Sequence, residues 1–120
     1  MSISQTLAKA QHSVVVGRID EALKLYRRLL RVMPKHPLVN GLLGEALERS
    51  GSPHAAVAHL RLAHEGDPRN VQYWLKLIAV QHMLDDVVKA RELLTKASDL
   101  GLEPERLEQL ELMLLSLIHI

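Results

Sequence analysis

Apolar residues recur along this chain at the three- and four-residue spacing of amphipathic helices, in segments that end at glycine, aspartate or proline. The first segment carries Ile3, Leu7, Ala10 and Val14 and ends at Gly17. Such spacing places the apolar side chains on one face of an α-helix. The complete pattern predicts an all-α chain without strands, with six helices in three antiparallel pairs and a seventh helix. The best-defined helices are expected at 3–16, 38–50, 53–66, 87–100 and 104–114.

The segments repeat with a fixed period of 34 residues. Three series show it: Gly17, Gly51 and Asp85; Ala22, Ala56 and Ala90; Tyr26, Leu60 and Leu94. A period of this length is typical of a solenoid, in which each unit stacks on its neighbours. The series also predicts that Ala56 is buried where two helices cross.

The middle unit resembles the tetratricopeptide repeat (TPR) family through Gly44, Gly51, Ala56, Leu60, Ala63 and Pro68. The resemblance extends over residues 3–104 and is closest to the bacterial type. It implies a right-handed superhelical solenoid of three helix-turn-helix repeats, at about 3–36, 37–70 and 71–104. A C-terminal helix at 104–114 would complete a domain spanning residues 1–114.

Several local signals fit this arrangement. Gly44 lies inside a predicted helix, where glycine costs about 1 kcal/mol relative to alanine, so we expect a neighbouring helix to cross close to it. Ser52-Pro53 is a predicted N-cap and first helical residue, and Asn70 is a second predicted N-cap. Trp74 stands where the family often carries tryptophan, which implies a buried ring. Asp85-Asp86 is expected to cap the sixth helix.

Composition narrows the function classes. The 120 residues include 15 Lys+Arg against 14 Asp+Glu, without a block of like charge. This balance gives no electrostatic reason to expect nucleic acid or an anionic membrane as partner. Cysteine is absent, which excludes disulfides and Cys-ligated zinc and fits a reducing compartment. We therefore predict a cytoplasmic protein without a membrane segment.

No catalytic motif is present, and the chain is not expected to be an enzyme or to need a cofactor. The seven histidines suggest a metal site, but His54, His59 and His64 are five residues apart. Ligand pairs on one helix face prefer spacings of three or four. The histidines are therefore interpreted as surface residues of amphipathic helices.

The expected function is that of a protein-interaction scaffold. In stacked helix pairs, the first helix of each repeat lines a concave face. A mixed polar and apolar face of this kind suits an extended peptide or a partner helix. The predicted binding residues are Gln11, Leu42, Glu45, Glu48, Arg49, Gln72, Leu75, Lys76, Ala79 and His82. Neighbouring candidates on the same helices are Leu7, Val14, Gly41 and Met83.

Some TPR proteins bind acidic chaperone C-termini through a clamp of Lys, Asn and Arg. The corresponding positions here are Leu7, Gln11, Leu42, Gln72 and Lys76. Only one of them is basic, which does not favour that specificity.

The C-terminus offers an alternative. The last nine residues, LMLLSLIHI, are almost wholly apolar, and Leu115–Ile120 match one reading frame of a common transposon adapter, which predicts a non-native tail on a fragment of a longer gene product. The alternative is a native C-terminal helix that buries its apolar face on the third repeat. In either case residues 104–114 are expected to pack on the helix at 86–100 through Leu107, Leu110 and Leu114. An apolar end of this kind could also drive self-association. As a fragment, the chain would be the N-terminal repeat region of a larger bacterial enzyme, such as a sulfotransferase or glycosyltransferase.

Overall fold

The computed structural model describes residues 2–84, 87–101, 103–106, 108–109 and 112. Within them the chain is helical, without strands, and forms a right-handed solenoid of paired helices. The helices are α1 (Ile3–Val15), α2 (Ile19–Val32), α3 (Pro37–Arg49), α4 (Pro53–Gly66), α5 (Val71–Met83) and α6 (Val87–Asp99). Helical backbone also occurs at 104–106, 108–109 and 112, where the seventh helix was predicted. The predicted all-α fold is therefore confirmed.

The 34-residue period is visible in the helix boundaries. The first helices of the pairs begin at Ile3, Pro37 and Val71, and the second helices begin at Ile19, Pro53 and Val87. The turns inside the first two pairs use glycines with positive φ, 83° at Gly17 and 87° at Gly51. A left-handed backbone is strained for other residues, so these glycines end α1 and α3 and allow the sharp reversal.

The helix N-termini differ from the predictions in detail. Asn70 caps α5 as predicted, because its side chain accepts a hydrogen bond from the Gln72 amide at 3.0 Å. Ser52 occupies the N-cap position of α4, but its side chain makes no capping hydrogen bond there. At α1, Ser2 and Gln5 form a reciprocal capping box that the sequence analysis did not identify. The sequence therefore predicted where these helices begin better than it predicted their capping hydrogen bonds.

The close crossing of α3 and α4 is the tightest part of the core. Ala56 and Leu60 on α4 are fully buried, as predicted for Ala56. A Cβ at Gly44 would lie 2.7 Å from Leu60 Cγ and 3.3 Å from the Ala56 carbonyl oxygen. The interior glycine therefore has the expected packing reason: the α4 backbone and a buried leucine occupy the space beside it.

Contacts between successive pairs hold the solenoid together. The Trp74 ring is fully buried, as expected, and its Nε1 donates a hydrogen bond to the Pro68 carbonyl oxygen at 2.5 Å. Tyr73 packs against Gly41, where a Cβ would be only 2.7 Å from the Tyr73 ring. Gly41 therefore serves as a packing residue under Tyr73, which corrects its assignment to the binding face.

The predictions for Asp85-Asp86, for Leu107, Leu110 and Leu114, and for the tail at 115–120 lie outside the described residues.

Candidate functional site

Two neighbouring cavities, which share lining residues, form a groove along the first helices of the three pairs. The first, of about 400 Å³, lies between α3 and α5. The second, of about 230 Å³, lies between α1, α2 and α3. Glu45 and Arg49 line both. The groove is therefore defined by Gln11, Val14, Val15, Tyr26, Leu42, Glu45, Glu48, Arg49, Gln72, Leu75, Lys76 and Ala79.

Most of the residues predicted from the sequence share this surface. Of the ten predicted binding residues, all except His82 line the groove. Among the neighbouring candidates, Val14 lines it, whereas Leu7 packs partly buried against the core and Met83 is exposed on α5. The structure thus brings together the predicted side chains from three helices that are far apart in sequence.

His82 is the predicted binding residue that does not line the groove. It lies 34 residues after Glu48, at the equivalent position of the next repeat (82 − 48). Glu48 lines the cavity because α5 stands on its far side. The residues one period after α5 are 105–117, and most of them lie outside the described residues.

Charged side chains in the groove are joined by ion pairs through one carboxylate. Glu45 Oε1 lies 3.1 Å from Arg49 Nη2 on the next turn of α3, and Glu45 Oε2 lies 2.8 Å from Lys76 Nζ on α5. Glu45 and Lys76 are 31% and 28% exposed, so the bridge between the helices is only partly screened by solvent. Glu45 therefore ties together the two cations that line the 400 Å³ cavity.

Tyr26 lines the groove, although the sequence analysis named it only as a member of a repeat series. It is 1% exposed, yet its ring forms part of the wall between α1 and α3. Burial raises the pKa of the Tyr26 hydroxyl, and the nearby Glu45 carboxylate raises that pKa further. Its repeat equivalent is Leu60, so the period indicated a core residue and gave no sign that the longer ring reaches the groove.

The histidines correct one prediction. His54 is exposed as expected, but His59 and His64 are partly buried. His59 Nδ1 hydrogen-bonds to Oδ1 of the fully buried Asn40 at 2.9 Å. The His64 ring lies 4.0 Å from the Trp74 ring, centroid to centroid. These side chains therefore help to pack the helices.

The lowered histidine pKa values have the same structural cause. Burial lowers the pKa of His59, and the positive charge of Arg27 lowers it further. Burial also lowers the pKa of His64, with Lys96 as the next contribution. Both rings are therefore stabilised in the neutral form.

Other site types find little support in the described part of the chain. No group of three His, Cys, Asp or Glu side chains there has the arrangement of a metal site. None of the helices described combines the length and the apolar character that crossing a bilayer requires.

A third, polar cavity of about 530 Å³ lies at the start of α5. It shares Gln72 with the groove and is also lined by Arg106.

The family model described as tetratricopeptide repeat matches residues 7–67, about half of the chain. None of the curated proteins matches.

Three solved structures are similar along nearly the whole chain. The TPR domain of Sgt2 from Aspergillus fumigatus has a TM-score of 0.74 at 20% identity, covering 92% of this chain and 76% of that one. The first TPR of Spaghetti, bound to the HSP90 peptide SRMEEVD, has a TM-score of 0.76 at 17% identity, covering 97% and 93%. The TPR2B domain of yeast Sti1, in a complex with pHsp70, has a TM-score of 0.76 at 18% identity, covering 95% and 96%. At these identities the likeness establishes the fold.

Proposed function

The chain belongs to the tetratricopeptide repeat family, and on that premise we propose that it is a protein-interaction module whose groove binds a peptide or a partner helix. The observation that carries this proposal is that cavities formed by α1, α3 and α5 lie side by side and share Glu45 and Arg49. A partner that lies along the groove would contact every repeat at once.

The chemistry of the groove suits a peptide better than a small metabolite. Leu75 and Ala79 offer apolar surface, while Gln11 and Gln72 offer exposed amides at the two ends. Amide groups can both donate and accept hydrogen bonds, as the backbone of an extended peptide requires. Two connected cavities of a few hundred Å³ would each accept one or two partner side chains.

The structural relatives support the same class of ligand. Spaghetti was solved with an HSP90 peptide and Sti1 with pHsp70, so peptide binding is compatible with this fold. In the present chain the groove contains two basic and two acidic side chains in its larger cavity. We therefore propose peptide recognition without assuming the partners of those proteins.

The proposal can be tested with peptides selected from a random library on the purified chain. Ala79→Trp would fill the larger cavity, and a selected peptide should lose at least about tenfold in affinity, which is about 1.4 kcal/mol. Ala58→Trp makes the same change at an exposed position of α4 and should leave binding unchanged. Equal losses for both variants, or none for Ala79→Trp, would place the binding surface elsewhere.

Three finer predictions remain part of this proposal. We propose a non-catalytic role, a location in the cytoplasm and no nucleic-acid or membrane partner. Self-association through the apolar C-terminus stays a prediction, because residues 113–120 lie outside the described residues. The N-terminal region of a larger bacterial enzyme stays an alternative that none of the comparisons supports.

A further inference from the structure

We propose that Glu45 sets the specificity of the groove by holding Arg49 and Lys76 in ion pairs, so that the groove discriminates against peptides rich in carboxylates. This inference rests on the proposed function of the groove and names the class of partner that it accepts. The preferred partner presents apolar side chains to Leu75 and Ala79, without a cluster of acidic residues.

The geometry makes Glu45 an internal substitute for a ligand carboxylate. Its two oxygens lie 3.1 Å from Arg49 Nη2 and 2.8 Å from Lys76 Nζ, distances at which a bound carboxylate would also accept from these cations. Arg49 and Lys76 are the basic residues that line the larger cavity. A partner carboxylate must therefore compete with an acid that is already in place on the protein.

The local charge supports the same conclusion. Glu45, Glu48, Arg49 and Lys76 line the larger cavity, so its two positive charges are offset by two negative charges. An incoming carboxylate would meet no net positive charge and would approach Glu45 closely. Like charges near one another in a partly desolvated site repel, which disfavours an acidic ligand.

Glu45 and Glu48 differ in one respect that an experiment can use. Both are partly buried acids of α3 in the same cavity. Glu45 forms ion pairs with Arg49 and Lys76, whereas Glu48 forms none with any described residue. Neutralising either acid changes the charge of the groove by the same amount, but only Glu45→Gln frees the two cations.

The test measures the affinity of the acidic peptide SRMEEVD and of its carboxylate-free amide counterpart, SRMQQVN with an amidated C-terminus, by fluorescence polarisation at low ionic strength. Wild type should bind the acidic peptide no better than the amide peptide. Glu45→Gln should bind the acidic peptide about tenfold more tightly than wild type does, since it gains two charge-assisted contacts. Its affinity for the amide peptide should change by less than about threefold.

Three further variants separate ion-pair release from a general charge effect. Glu48→Gln should give a clearly smaller gain than Glu45→Gln, and Glu65→Gln, at an exposed position on α4, should give none. Adding Lys76→Gln to Glu45→Gln should remove most of the gain. Thermal melts of each variant confirm that the fold is retained, which the isosteric substitutions favour.

Several results would overturn the proposal. Equal gains for Glu45→Gln and Glu48→Gln would show that only net charge matters. If Glu45→Gln did not increase the affinity for the acidic peptide, the freed cations would not bind carboxylates. The same conclusion would follow if no variant bound either peptide. Failure of the proposed function itself would appear separately, as unchanged binding of a library-selected peptide in Ala79→Trp.

Discussion

Replacing Ala56 by leucine tests the packing on which the solenoid is built. Ala56 is fully buried on α4, and its carbonyl oxygen and the Leu60 side chain occupy the space beside Gly44 on α3. Even one added carbon at Gly44 would lie 2.7 Å from Leu60 Cγ, so this crossing has no spare volume. Three added carbons at the fully buried Ala56 must therefore displace neighbouring core side chains or a helix backbone.

The expected cost follows from overpacking of a closely packed core. Such insertions typically destabilise by about 1–3 kcal/mol, and alanine and leucine have similar helix propensities. Each kcal/mol lowers the melting temperature by about 4–8 °C in domains of about 60–100 residues and by about 2–4 °C in domains of about 150–250 residues, so a decrease of about 4 °C per kcal/mol is expected here. Ala56→Leu should therefore lower the midpoint in urea and the melting temperature by a readily measured amount.

The same substitution at neighbouring positions of α4 provides the control. Ala55 and Ala58 are exposed, so leucine there adds no buried volume. Urea unfolding followed by far-UV circular dichroism should show Ala55→Leu and Ala58→Leu within about 0.5 kcal/mol of wild type. A neutral Ala56→Leu, or equal losses in all three variants, would refute a close α3–α4 crossing at this residue.

Two further predictions concern the packing around Trp74. Trp74→Phe should destabilise by about 1–3 kcal/mol in urea unfolding, because the Pro68 carbonyl oxygen loses its indole donor; unchanged stability would show that this bond contributes little. The pKa of His64 is lowered from 6.5 by burial and Lys96, so the unfolded chain binds a proton more readily than the folded chain does. Stability should therefore fall as pH decreases below about 6.5, and melts across this range should show a weaker pH dependence for His64→Gln than for wild type. His54→Gln, at an exposed site, should keep the wild-type dependence, and an equal pH dependence in all three proteins would contradict the assignment.

The fold could be predicted because the repeat encodes it more than once. Ala22 and Ala56 are one period apart and both are fully buried, and Gly17 and Gly51 both adopt positive φ. Each unit thus supports the interpretation of the other. The remaining differences are small: α1 ends at Val15 and α3 spans Pro37–Arg49, each one residue from the predicted bounds.

Side chains that join different units could not be predicted in the same way. Asn40 is polar and fully buried because its Nδ2 donates to the carbonyl oxygens of Pro34 and His36 and its Oδ1 bonds to His59. Helical periodicity describes one helix at a time and carries no information about partners from a turn and a second helix. The same reason explains why His59 was interpreted as a surface residue.

The groove could be predicted in part from the sequence. The repeat geometry predicted that α1, α3 and α5 share a face, and nine of the ten predicted binding residues line the groove. It did not predict that Glu45 bridges Arg49 and Lys76, because that contact depends on side-chain reach across two repeats. The charge distribution of the groove, on which the proposed selectivity rests, could be described only from the structure.

Site-directed photo-crosslinking to a library-selected peptide tests the central claim most directly. A photoreactive residue replaces Gln11 or Gln72, which lie in the groove, or Lys24 or Arg61, which are exposed on α2 and α4. The account predicts that the peptide forms adducts from both groove positions and not from the positions on α2 and α4. Adducts formed mainly from Lys24 or Arg61 would contradict it, because they would place the partner on the second helices of the repeats.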